Sequence, residues 1–109
     1  MGLLTGKFAA ESRLPKDDVR GAGHSWVELF HNGVPDAAAL AKLNAIRDLL
    51  QVGGRSLTQG ALGWLLAKSA CTIPIPGFKS EAQAIENAGA MTFGPLPADI
   101  VSQIDKLLV

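Results

Sequence analysis

The stretch Thr72-Ile73-Pro74-Ile75-Pro76-Gly77-Phe78-Lys79-Ser80-Glu81-Ala82-Gln83-Ala84-Ile85-Glu86-Asn87 decides how the rest of the chain is read. Its first half is a short apolar run that stops at Pro76-Gly77, the pattern of a brief buried strand near residues 72–75. Pro74 removes one ladder donor, so that strand is short or lies at an edge. The second half opens a helix with Ser80 in the capping position. A helix N-terminus carries unpaired N–H groups and the positive end of the helix dipole. With Lys79 beside it, this corner suits a phosphate.

Outward from this stretch the pattern is helical. Asp36 to Gln51 reads as a helix capped by Asp36, with Leu40, Leu43, Ile46 and Leu50 on one face and Gly53-Gly54 as its stop. Ser56 to Ser69 follows, capped by Ser56. Leu57, Ala61, Leu62, Trp64, Leu65, Leu66 and Ala67 leave it almost no polar face, which predicts burial on more than one side. Gly60 and Gly63 within it predict close approach of another element. Ser80 to Met91 forms the third helix, Phe93-Gly94-Pro95 a turn, and Pro97 to Leu108 the fourth helix. Ile100, Ile104, Leu107 and Leu108 form the apolar side of that last helix. Residues 1–35 read as loop, with short turns near Pro15 to Val19 and after Ser25. A lone strand needs partners for its backbone groups, so a second strand is expected in the N-terminal region or from another chain.

Composition narrows the function. The 109 residues are 48% hydrophobic with formal net charge zero. That excludes a disordered chain and argues against a nucleic-acid binder, which would carry a basic stripe. Cys71 is the single cysteine, so neither an intrachain disulfide nor a cysteine metal cluster can form. It reads as a small buried hydrophobe. His24 and His31 have no ligand partners at helical spacing, and no metal site is expected. Asp17 and Asp18 read as first-turn charges, and Trp26, Phe30 and Trp64 as core or interface. No secretory signal or bilayer-spanning run is visible, so a cytoplasmic, non-membrane protein is expected.

Several motifs together resemble the aldo-keto reductase family. Gly2-Leu3-Leu4-Thr5-Gly6-Lys7 resembles the loop after the seventh barrel strand, and Ser56 through Leu66 the seventh helix. Ile73-Pro74-Ile75-Pro76-Gly77 is similar to the eighth strand and its exit, and Lys79 through Asn87 to the cofactor-clamping loop and eighth helix. Phe93-Gly94-Pro95-Leu96 and the final helix resemble the C-terminal segment. The resemblance implies an α/β chain by descent, mostly helical in content. It would be a partial (β/α)8 TIM barrel, the last βα units plus C-terminal helices, with about four helices and one short strand in a single domain. The fold typically needs about 250 residues.

The resemblance also implies roles. Lys79 and Ser80 would hold the 2′-phosphate that distinguishes NADP from NAD, and Gln83 would reach the ribose-phosphate side. Glu86 and Asn87 would read the adenine amine and ring. Gly77 and Phe78 lead into that clamp. Leu4 and Gly6 would line the pyrophosphate, mostly through backbone. Family members protonate the substrate carbonyl with an Asp, Tyr, Lys and His tetrad. Nothing here resembles those positions, and the chain contains no Tyr. The expectation is therefore an NADP(H) half-site that binds weakly and performs no reduction alone. The alternative is a non-enzymatic interaction module, a homo-oligomer with a dimer favoured, in which the cofactor loop is a relic. Its exposed apolar faces and strand edge would drive association.

Overall fold

Local side-chain chemistry starts each of the first three helices. In this computed structural model, which describes residues 1–109, Asp36 Oδ1 accepts the Ala39 N–H at 2.7 Å and opens α1, Ala37–Leu50. Ser56 opens α2, Leu57–Lys68, with a full capping box: its hydroxyl accepts the Gln59 N–H while the Gln59 side chain accepts the Ser56 N–H. Ser80 opens α3, Glu81–Phe93, by accepting the Gln83 N–H at 3.3 Å. The fourth helix, α4 at Ala98–Leu108, starts after Pro97 without a side-chain cap. All four helices stand within about two residues of the ranges expected from sequence.

Residues Met1–Ala45 and Ile46–Val109 form two compact units, with α1 running from one into the other. In the first, Leu3, Val27 and Phe30 make the core, with Phe8, Leu14, Ala39 and Leu40 packed around them. Phe8 meets the Phe30 ring edge-on at 5.2 Å between centroids. Arg20 lies over both rings and is held by a two-point pair to Asp18, at 2.8 and 2.6 Å, and by the Met1 carbonyl at 3.1 Å. Asp18 raises the Arg20 pKa above its ordinary value by accepting from the guanidinium, against the opposing effect of burial. Asp36 is held below the usual carboxylate range, chiefly by the Ala39 N–H.

The reading of residues 1–35 as loop is corrected here. Phe30–His31 (β1) and Val34–Pro35 (β2) pair antiparallel, Phe30 opposite Pro35 and His31 opposite Val34. Asn32 at φ 51° and Gly33 at φ 81° close the hairpin. Two consecutive positive φ values are the mark of the tight turn that matches strand twist. A Cβ on Gly33 would stand 2.4 Å from the Leu14 carbonyl oxygen, so the position has neither the conformation nor the space for a side chain.

In the second unit α2 packs mainly on α3, and less on α4. Gly60 and Gly63 allow the close approach the sequence predicts. A Cβ on Gly60 would fall 1.9 Å from the Leu50 carbonyl oxygen, and Gly63 lies against Gly94 and Leu96. The α2 helix is not covered all round, however. Leu65 is exposed, and Leu62 and Leu66 line an open groove. On α4, Ile104 is fully buried, whereas Leu107 is exposed. Asp105 ties α4 to α2: Oδ1 accepts from the Trp64 indole at 3.2 Å and Oδ2 from the Lys68 ammonium. Lys68 holds the Asp105 carboxyl below its ordinary range, with Trp64 contributing less. Arg55 donates to the carbonyls of Val52, Phe93 and Pro95 and stacks on the Phe93 ring, pinning the turn after α3.

No strand forms at 72–75, which corrects the reading of that segment. It runs extended, but the backbone groups of Ile73 to Pro76 bond to nothing in the chain. The strands that do exist, β1 and β2, pair with each other. Cys71 is exposed rather than buried, because no sheet covers it. Trp26 is likewise exposed, stacked on His24 rather than placed in the core.

Candidate functional site

The corner between the extended segment and α3 is closed by its own polar groups. Ser80 Oγ takes the Gln83 N–H, and Gln83 Oε1 takes the Lys79 N–H at 2.7 Å. This is a capping box displaced by one residue: the side chain at the third helical position reaches past the cap to the residue before it. One turn further, Asn87 Nδ2 donates to the Gly77 carbonyl at 3.2 Å. Gly77, Lys79, Ser80, Gln83 and Asn87 are thus joined in one hydrogen-bonded loop, fixed by α3.

The donors left over point to the chemistry this corner can do. The Lys79 ammonium makes no ion pair within the chain. The Ser80 hydroxyl accepts one bond and keeps its own proton to donate, and the Gln83 amide nitrogen is uncommitted. The N–H groups of the first α3 turn add the dipole's positive end. All of these groups are exposed. Glu86 and Asn87 are half-buried on the next turn, with the Glu86 carboxylate unpaired.

Gly77 supplies an independent test of fit. Its φ lies outside the left-handed region, and a Cβ built on it meets nothing within 4 Å. Neither backbone conformation nor internal packing requires glycine there. Glycine at such a position leaves the backbone open to close approach from outside the chain. Phe78 beside it is exposed and lines the groove between α2 and α3, a cavity of about 330 Å³ whose walls include Leu62, Leu66, Pro74, Pro76 and Met91. Pro74 and Pro76 face this groove, while Ile73 and Ile75, 82% and 95% exposed, do not line it.

Leu4 and Gly6 belong to the N-terminal unit. Leu4 sits, exposed, in the one-turn 3-10 helix Leu3–Thr5. Gly6 ends that turn in the left-handed conformation at φ 76° and donates to the Leu3 carbonyl at 3.4 Å. Thr5 Oγ1 donates to the Gly2 carbonyl at 2.7 Å. Gln59 was not singled out from sequence. Its amide donates to the Glu86 carbonyl, a partner 27 residues away that no local pattern announces.

Comparison with known proteins gives the class to which the whole chain belongs. The aldo/keto reductase family model matches residues 1–109, and the chain belongs to that family. Membership implies descent from an α/β barrel; the chain itself carries four helices and a two-stranded sheet. It is similar to pyridoxal reductase, chloroplastic, of Arabidopsis thaliana, with 33% identity over 91 residues. That match covers 84% of this chain and 22% of the relative, so the chain spans less than a quarter of that protein's length. No solved structure matches.

Proposed function

We propose that this chain binds NADP(H) by its adenosine 2′-phosphate end. The observation that carries the reading is the preformed corner at Lys79–Ser80, closed by internal hydrogen bonds yet leaving its cation and donors uncommitted. The family generally uses NADP(H). Lys79 supplies the charge for the 2′-phosphate, the Ser80 hydroxyl donates to the same group, and Gln83 reaches the ribose side. Glu86 and Asn87 face the adenine, Gly77 lets the cofactor approach the backbone, and Phe78 borders it. NADPH supplies a hydride from its nicotinamide ring. No residue of this chain is assigned to proton donation, and with no tyrosine present the chain is proposed as a cofactor-holding part rather than a reductase by itself.

NADPH titration by calorimetry or intrinsic fluorescence tests the reading. Saturable binding is expected, tighter at low salt because the 2′-phosphate contact is ionic. Lys79→Glu should weaken it at least about tenfold, the loss of one charge-assisted contact. Gly77→Ala should weaken it while leaving thermal stability unchanged. Absence of saturation at millimolar NADPH removes the proposal.

A second reading is favoured by one observation: Ile73 and Ile75 are almost fully exposed on a segment whose backbone has no partner. On this reading two copies pair along that segment, and the chain is a homo-oligomer. Light scattering of the purified protein should then give a mass above that of one chain, and Ile75→Lys should return it to one. A monodisperse wild-type monomer excludes this reading and leaves the cofactor proposal intact.

A further inference from the structure

Gln59 uses both ends of its amide. Oε1 accepts the Ser56 N–H at 3.0 Å and completes the α2 cap, while Nε2 donates to the Glu86 carbonyl at 2.9 Å. The Glu86 carbonyl and the Asn87 N–H belong to one planar peptide unit. The two Cα atoms flanking that unit carry the Glu86 and Asn87 side chains. Gly89 makes the room: a Cβ there would stand 2.6 Å from Gln59 Nε2. Asn87 then reaches forward to the Gly77 carbonyl, so a continuous polar chain links the start of α2 to the cofactor corner.

We propose that Gln59 is a positioning residue for the adenosine half-site. By holding the peptide plane between Glu86 and Asn87, it sets where both side chains stand relative to the adenine. The inference rests on the NADP(H) reading above and names the residue that gives that site its base preference.

Gln59→Glu separates this role from a structural one. The introduced carboxylate still accepts the Ser56 N–H, as glutamate does in an ordinary capping box, but presents an acceptor to the Glu86 carbonyl in place of a donor. Helix content by circular dichroism is expected to be kept. NADPH affinity at pH 7 should fall about fivefold, the worth of one hydrogen bond. Affinity for the hypoxanthine analogue of NADPH, which lacks the adenine amine, should stay unchanged. An equal loss for both cofactors, or a loss for neither, overturns the inference.

A readout without cofactor keeps the two proposals apart. In amide NMR spectra, Gln59→Glu should shift the Glu86 and Asn87 backbone resonances and the Asn87 side-chain amide. The shifts should reverse as the carboxyl is protonated near pH 4 and regains a donor. Gly89→Ala, whose Cβ would crowd Gln59 Nε2 at 2.6 Å, should move the same resonances. If wild-type protein binds neither cofactor, the NADP(H) reading fails while these shifts still report the bridge. Unmoved resonances in both variants overturn the bridge itself.

Discussion

Phe30→Ala is expected to cost the N-terminal unit its fixed structure. Phe30 is 2% exposed and stands at the centre of the cluster it forms with Leu3 and Val27. Truncating a buried phenylalanine costs about 3–5 kcal/mol, from lost burial and the cavity left behind. Here the edge-on contact with Phe8 and one of the two rings under Arg20 go as well. Arg20 would keep Asp18 and Met1 as partners but lose part of the surface covering its guanidinium. Total stabilities of small domains are only about 5–15 kcal/mol, so a unit of this size has little to spare. The amide NMR spectrum checks the expectation. Resonances of residues 1–45 should collapse toward random-coil positions while most from 46–109 persist. A spectrum with full dispersion in the first unit would show that the core is held elsewhere.

Gly60→Ala carries the next largest expected effect, and here two terms compete. Alanine in a helix is favoured over glycine by about 1 kcal/mol, so propensity alone predicts stabilisation. The added Cβ, however, would lie 1.9 Å from the Leu50 carbonyl oxygen and 2.6 Å from its carbon. Those are backbone atoms of a residue that is itself buried, so no side-chain rotation relieves the overlap. Overpacking at such a site costs about 1–3 kcal/mol and sometimes more. A separation of 1.9 Å puts the cost at the top of that range, so the steric term wins by about 2 kcal/mol, roughly 10 °C in Tm for a unit of this length. Thermal unfolding followed by circular dichroism reads it. A variant as stable as wild type would mean that the contact between α2 and the end of α1 can widen freely.

The helices were legible because their signals are local. Asp36, Ser56 and Ser80 each sit beside the N–H groups they satisfy, and spacing alone reveals such pairs. The close approach at Gly60 was legible too, since glycine within a helix has a cost that packing must justify. The segment at 72–75 failed for the opposite reason. Its residues have strand character, but a strand is defined by what it pairs with, and no neighbour is present in the chain. The burial assigned to Cys71 depended on that same missing sheet. The hairpin at 30–35 has a local signal as well: Asn32-Gly33 is a strong two-residue turn pair, obscured by Pro35 and by how short both strands are. Within the candidate site, Lys79, Ser80 and Gln83 were found from their place at a helix start, and the structure joins them. Gln59 and Gly89 act through contacts with distant parts of the sequence, which periodicity cannot reveal.

The positions of Pro74 and Pro76 have one more effect. Backbone groups of alternate residues in an extended chain point to opposite edges. Both prolines fall on the same alternation, so the donors they lack are missing from one edge only, while Ile73 and Ile75 keep theirs on the other. A neighbouring strand can therefore bond fully along a single side. A segment with two apolar, β-branched residues in the open would otherwise template endless stacking of copies. A ladder begun on that side would stop after one addition, so the same two prolines would limit the growth of an aggregate.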